Sequence, residues 1–393
     1  MNTSAAPSRA ELIGRAADLA PLFGKNAIWQ EENRILHDDT VAALTDAGLL
    51  RMTLPARYGG YEVDTTTLVD VLSELAKGDG ATGWVATVWS ISTWLTGLFP
   101  DEVQDEVFAS GDVRISGTFG PTAVGVPAPG GIVLNGKWVF NTGARQSGWN
   151  AHAAVLAAEG EEPQPVMVML PMADLEIIDD WHTSGMRGTG SVTTVAKDVF
   201  VPSARILPMV PVLQEGRHLS KLNAETRLWN VPFMPWACAV VCATPYGLAR
   251  AADTAFMERL PTRKITYTDY EHQADAPLTH LQVAKASLRI DEAGFHVHRA
   301  AELVDTKAPG EPWSVKERVQ VRLDMGAACL RAKEAVDILN NASGGSSVHN
   351  TVPIQRIARD IQTSSLHSIM HPDTNLELFG RVACGLEPNT QFL

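Results

Sequence analysis

Ile132-Val133-Leu134-Asn135-Gly136-Lys137-Trp138-Val139-Phe140 is the stretch on which the reading of the fold turns. Strand-forming residues flank an Asn-Gly pair, and Asn-Gly supplies the positive φ angles of a tight turn, so the stretch predicts a β-hairpin. Val113, Ile115 and Gly117 alternate just before it. Strand-like runs follow at 153–157, 166–170 and 192–201. Residues 113–211 therefore read as a β domain.

On both sides the apolar period changes to that of a helix. Leu12, Ala16, Leu19 and Phe23, and then Leu68, Val71, Leu72 and Leu75, recur on one helical face. Thr65 to Thr67 are placed to cap the second of these helices, and Thr40 to cap a short helix that Gly48 ends. Residues 1–112 thus form a helical domain. Long helical patterns return at about 278–304 and 314–341, and from Pro353 toward His367. They predict an antiparallel bundle over 212–393. The expected class is α+β: helices, a central β domain, then a helical bundle.

Composition narrows the function. The chain has 393 residues, 45% of them hydrophobic, enough for a large core, and a net charge of −13 offers no basic stripe to a nucleic acid. Four cysteines, without the paired spacing of a zinc site, fit a reducing compartment. No basic segment followed by an apolar core opens the chain, so a cytoplasmic protein without a signal peptide is expected. Residues 81–99 carry no charge, yet they contain threonines, serines and glycines and lack basic flanks; they read as a buried helix, not a membrane span. His296 and His298 are two apart on a helix and point away from each other, so no metal site is expected.

Several short segments, in order, resemble a known superfamily. Ala47-Gly48-Leu49-Leu50 followed by Leu54-Pro55-Ala56-Arg57-Tyr58-Gly59-Gly60 is similar to a segment of the acyl-CoA dehydrogenases. Ser184-Gly185-Met186-Arg187-Gly188-Thr189-Gly190-Ser191 with Asp198 to Pro202, and Gly344 to Ser347 with Pro353, Arg356, Arg359-Asp360 and His367, resemble the two-component flavin-monooxygenase branch of that superfamily. The resemblance implies an acyl-CoA dehydrogenase-like fold, a homotetramer, and reduced flavin (FMNH2 or FADH2) delivered by a separate NAD(P)H:flavin reductase. Its flavin ring would lie between β domain and bundle. The reaction implied is hydroxylation of a small organic substrate, aromatic or polyketide. N-oxygenation of an amine or amino sugar, and an FAD-containing acyl-CoA dehydrogenase, are the alternatives; a catalytically inert scaffold is a third.

A dehydrogenase of this fold needs a carboxylate base, and many members carry a glutamate eight residues beyond the aspartate of the Arg-Asp pair. That position here is Ser368, preceded by His367, with Glu377 as a possible substitute. A histidine suits a hydroxylase, because an imidazole can accept a phenol proton near neutral pH. His367 is accordingly the first catalytic candidate. His371, also a pocket candidate, would share its face only if the helix ran on, and Pro372 reads instead as a new helix start.

Oxygen activated on a reduced flavin is wasted as hydrogen peroxide unless N5 keeps its proton and water stays out. Thr142 is the second catalytic candidate, placed by the resemblance to hydrogen-bond N5, with Trp138 and Asn141 beside it as flavin contacts. Gly117, Thr118 and Thr122 occupy the matching stretch of the preceding strand, where small residues admit the flavin ring. Ser191 is a further phosphate or ring contact, and the resemblance places Arg263, Gly345 and Ser346 at the phosphate end of a neighbouring subunit's flavin. Trp84 and Trp89 are the expected pocket walls.

Overall fold

The computed structural model describes residues 6–111 and 114–393. Five helices come first: α1 (Arg9–Asn33), α2 (Asp38–Asp46), α3 (Thr65–Gly78), α4 (Gly80–Thr96) and α5 (Asp101–Phe108). Seven strands follow: β1 (Ile115–Ala128), β2 (Gly131–Asn141), β3 (Trp149–Leu156), β4 (Gln164–Pro171), β5 (Glu176–Ile178), β6 (Val192–Pro202) and β7 (Ile206–Pro208). The chain ends in α6 (Phe233–Val241), α7 (Ala243–Arg259), α8 (Pro277–Thr306), α9 (Val315–Ala342), α10 (Pro353–Ser365) and α11 (Pro372–Ala383). The expected α+β order of helices, sheet and helices is present. Val113, with which the alternating pattern was read to begin, lies outside the described residues.

The strands form one mixed sheet in the order β5-β6-β2-β1-β3-β4-β7, with β1 and β3 parallel and the other pairs antiparallel. Asn135-Gly136 does not turn the chain. The β1–β2 hairpin closes at Pro129-Gly130, since Ala128 pairs with Gly131, and Asn135-Gly136 lies inside β2 opposite a bulge in β6, where two steps along β2 from Leu134 to Gly136 match three along β6 from Val199 to Ala196. Gly136 has φ +152°, and the Asn135 amide exchanges two hydrogen bonds with Asp198 on β6, at 2.9 and 2.8 Å. The extra residue is accommodated on β6, where Asp198 takes φ 51° and is held by the Asn135 amide.

Two helix caps also differ from expectation. Asp64 caps α3 by accepting from the Thr67 backbone N–H at 2.7 Å, and Thr65 to Thr67 form its first turn. α2 starts at His37, whose Nδ1 accepts from Asp39 N–H, so Thr40 lies inside the helix, where it accepts from the Asn26 amide. Carboxylate and imidazole reach the free N–H groups from one or more residues earlier, and the threonines are left to pack.

The helix α4 positions the site. The 17 residues of α4 carry no charge, yet among the described residues no helix is long and apolar enough to cross a membrane. Instead α4 is buried nearly throughout, between α3, α7 and the β1 and β3 ends of the sheet. Thr87 and Thr96 donate to carbonyls four residues back, at 2.8 Å each, so its hydroxyls cost little to bury. Trp89, Trp94, Trp229 and Trp236 are less than or about 2% exposed around it. Truncating one such indole to Ala should cost about 3–5 kcal/mol. α8 and α9, joined by eight residues (307–314), pack lengthwise as the antiparallel pair expected, with Ser314 and Glu317 forming a capping box at the start of α9.

Candidate active site

Three parts of the chain meet at the N-terminal half of α4. The loop after β2 brings Thr142, the loop before β6 brings Ser191, and the turn after α10 brings His367. Trp84 of α4 lies among them. Its Nε1–H donates to Thr142 Oγ1 at 3.3 Å, Thr142 Oγ1 lies 2.8 Å from Ser191 Oγ, and the His367 ring meets the Trp84 ring edge-on at 5.4 Å between centroids. Thr142 and Ser191 are 5% and 4% exposed, whereas His367 keeps an open side toward solvent. Four residues separated by up to 283 positions in sequence (Trp84 to His367) thus share one surface.

The loop at 184–191 owes its position to close backbone packing. A Cβ on Gly185 would stand 2.1 Å from the Arg359 carbonyl oxygen, so only glycine allows the loop to lie flat on α10. Asp360, one residue on, accepts from Met186 N–H at 2.5 Å. Burial pushes this carboxyl up to about 7, helped by the nearby Asp79 and opposed by that backbone donor and by Arg356 and Arg359. Sequence reasoning read Asp360 only as half of a motif, and no property of an isolated Arg-Asp pair shows that its carboxyl would be interior.

Burial lowers the pKa of His367, so the imidazole is neutral at pH 7. No hydrogen bond within the described residues occupies either ring nitrogen, which leaves it free to take a proton. The helix does not run on to His371: α10 stops at Ser365, Met370 N–H turns back to the His367 carbonyl at 2.9 Å, and His371 precedes Pro372 at the start of α11. The His371 Nδ1 is enclosed without a hydrogen-bond partner. Glu377 is exposed on α11 and accepts from the Asn389 amide at 2.9 Å, and Ser368 is exposed. Neither supplies a carboxylate base beside Trp84.

Not every sequence candidate joins this surface. Trp89 is 1% exposed, donates to Ser147 Oγ at 2.9 Å and supports the turn at Gly143 from below. Trp138 is 1% exposed, donates to the Ala153 carbonyl at 2.7 Å and stacks on His152 at 4.1 Å. Asn141, fully buried, donates to Asn150 and Thr194. These three present no surface to a ligand in this structure: Trp89 is buried on α4, and Trp138 and Asn141 stand at buried positions of β2. Thr118 lies 3.3 Å from Nδ1 of that same His152, whose pKa burial drops to about 3, and exposed Thr122 donates to the Lys137 carbonyl. Gly117 faces α4: a Cβ there would meet the Ala151 carbonyl oxygen at 2.2 Å and Ser92 Oγ at 3.4 Å.

A second site lies at the far end of the bundle. Arg263, Lys264, Gly344, Gly345 and Ser346 line an open cleft of about 530 Å³. Arg263 donates to Ser346 Oγ and, at 2.8 Å, to the Ser343 carbonyl; Arg259 donates to Ser346 Oγ at 3.2 Å. Among the described residues neither arginine has a carboxylate partner, and their mutual repulsion adds to burial in lowering the pKa of Arg259. Paired guanidiniums beside a glycine loop are a donor set for phosphate oxygens. Arg263, Gly345 and Ser346 are thus together as expected; Arg259 and Lys264 were not foreseen.

A buried hydroxyl pair beside an open imidazole, backed by a helix, fits the edge of a flavin, and the paired guanidiniums of the cleft fit phosphates. The fold and site define a reduced-flavin oxygenase of acyl-CoA dehydrogenase architecture. Comparison with known proteins agrees. Residues 18–108 match the family "Acyl-CoA dehydrogenase, N-terminal domain" and residues 239–372 "Acyl-CoA dehydrogenase, C-terminal domain". The chain is 30% identical to the oxygenase component of an FADH2-dependent resorcinol hydroxylase from Rhizobium, covering 97% of this chain and 96% of that one. A pigment production hydroxylase from Rhodococcus is 30% identical over 96% of this chain and 97% of that protein. XiaF from Streptomyces, solved with FADH2 and glycerol, superposes with a TM-score of 0.91 at 30% identity, covering 98% of each chain. The protein belongs to the acyl-CoA dehydrogenase superfamily, in its branch of flavin-dependent monooxygenase oxygenase components. It is a monooxygenase that uses reduced flavin and O2, supplied with that flavin by a separate reductase.

Proposed function

We propose that the protein hydroxylates a small phenol held between Trp84 and His367. The observation that carries this reading is the neutral, unbonded imidazole of His367 set edge-on to Trp84, one residue away from the Thr142–Ser191 hydroxyl pair. The reduced flavin, when bound, activates oxygen for transfer to the substrate. His367 accepts the phenol proton as the ring carbon gains oxygen, and the Trp84 wall keeps water from that face. Thr142 holds the N5 edge. Glu377 lies exposed on α11 and the Asp360 carboxyl is engaged by Met186 N–H, which disfavours proton abstraction from an acyl thioester, and the named hydroxylase relatives favour an aromatic carbon over an amine.

In this reading the flavin is FAD, because the Arg259–Arg263 cleft offers more cations than a single phosphate needs. The assembly is a homotetramer in which the cleft serves a neighbouring subunit's flavin. Leu278, Leu281, Leu288 and Phe295 support it: spaced three, seven and seven apart, they form one stripe on α8, each more than half exposed. The test is to mix the anaerobic complex with reduced FAD against oxygenated buffer containing a panel of phenols, amines and none. Hydroxylated phenol with suppressed hydrogen peroxide is the expected result. Peroxide release unchanged by every phenol would sink the substrate assignment.

A further inference from the structure

The hydroxyls behind Trp84 form a chain whose proton directions are all determined. Met186, in the left-handed region at φ 52°, has its N–H engaged by Asp360 and its carbonyl turned inward. That carbonyl accepts from Trp181 Nε1–H at 3.1 Å and from Thr189 Oγ1–H at 2.8 Å. A carbonyl cannot donate, and a hydroxyl has one proton. Thr189, having given its proton to Met186, must accept across the 2.7 Å contact to Ser191. Ser191, having donated to Thr189, must accept across the 2.8 Å contact to Thr142. The Thr142 proton therefore points away from the pocket, toward Ser191. One Thr142 lone pair takes the Trp84 indole N–H at 3.3 Å, and the other is left over. The relay leaves Thr142 able to accept a hydrogen bond and unable to donate one.

We propose that this relay makes Thr142 a redox-state selector, which accepts from the N5–H of a reduced flavin and sets a lone pair against the bare N5 of an oxidised one. The inference rests on the reading above that Thr142 faces N5. Reduced flavin carries a proton on N5, so it meets an acceptor that is already oriented. Oxidised flavin has only a lone pair there, and Thr142 could greet it with a proton only by breaking its bond to Ser191. Ser191, still donating to Thr189, would then lose the one proton it accepts, and a buried acceptor left unpaired is costly in an interior with no water to replace it. Discrimination of about 10-fold or more in dissociation constant follows from one such mismatch. Because the relay is anchored by a backbone carbonyl, its sense does not depend on which substrate is present. Thr189, Ser191 and Met186 act through Thr142 and are positioning residues.

The experiment is a pair of titrations on the purified full chain, one aerobic with oxidised FAD and one anaerobic with dithionite-reduced FAD, in wild type and three variants. Wild type should bind the reduced form at least about 10-fold more tightly, raising the midpoint potential of bound flavin by about 30 mV per tenfold for this two-electron couple. Ser191→Ala removes the acceptor of the Thr142 proton and frees it to turn toward the flavin. Oxidised FAD should then bind more tightly and the preference shrink by about 10-fold. Thr142→Val should shrink it from the other side, by weakening the reduced form alone. Thr142→Ser, which keeps the hydroxyl, should preserve the preference. Equal weakening of both redox states in Ser191→Ala, or an unchanged ratio in Thr142→Val, would overturn the selector. If wild type binds neither form, the flavin reading of the site fails along with it, whereas binding of both with equal affinity refutes only the selector.

Discussion

The two ends of the site are built on opposite terms. At the Trp84 end, three segments far apart in sequence converge, side chains are buried, and each hydroxyl is held by the next. At the Arg263 end, the segments that follow α7 and α9 line a cleft open to solvent, and among the described residues Arg259 and Arg263 lack carboxylate partners. A buried, saturated network holds atoms in place and excludes water, which chemistry on reduced flavin requires. An open cationic cleft captures and releases, which suits a flavin that arrives from another protein. The difference separates control of reaction from control of exchange.

The largest expected effect tests the first end. His367→Ala should cut hydroxylation by about 100-fold or more, the usual scale of general acid-base assistance, with oxygen diverted to hydrogen peroxide. Product and peroxide measured in the same reaction check this. Normal rate and normal coupling would remove His367 from the chemistry and turn attention to the unpartnered His371.

Arg263→Ala tests the other end and should weaken reduced FAD by about 10- to 100-fold, the worth of a charge-assisted contact. Hydroxylation at saturating flavin should be nearly unchanged, and the salt dependence of binding should flatten. A lower saturated rate with unchanged affinity would erase the distinction between the two ends.

Thr142→Ala should raise the fraction of oxygen lost as peroxide by about 10-fold at most, a single hydrogen bond's worth, while leaving phenol affinity intact. Coupling that stays at the wild-type level would place Thr142 away from N5.

The smallest effect concerns stability. Asp360 in the folded chain holds its proton to about pH 7, whereas the unfolded carboxyl ionises near the ordinary aspartate value of 3.8. Between these values the folded state binds the extra proton, so its contribution to stability falls as pH rises through that window. Asp360→Asn, which keeps an acceptor for Met186 N–H but cannot ionise, should gain on wild type by about 2–4 °C in Tm from about pH 5 to about pH 8. A Tm difference independent of pH would show that the carboxyl is ionised throughout.

Much of this was open to reading along the chain. Period-two and helical patterns separated sheet from helices, and the Gly185–Ser191 and Arg359–His367 segments pointed to the residues that meet at Trp84. Other expectations failed for a physical reason. Asn135-Gly136 carries the backbone freedom of a turn, but whether such a pair closes a hairpin or continues a strand depends on the neighbouring strands, here β6 with its bulge at Asp198. Trp138 sits in a flavin-like context, yet strand alternation places it with Leu134 on the buried face, where it stacks on His152.

Sequence by itself determined the local choices: which segments are helical, which are extended, and that a histidine replaces a carboxylate after the Arg-Asp pair. Those depend on backbone propensity and on residue identity, which are local. Tertiary structure alone decided that Asp360 is interior, that Arg259 and Arg263 stand together without carboxylates, and that Thr142 points its proton at Ser191. Burial and hydrogen-bond direction are properties of neighbours in space, and only a folded chain brings Met186, Thr189, Ser191 and Thr142 into one line.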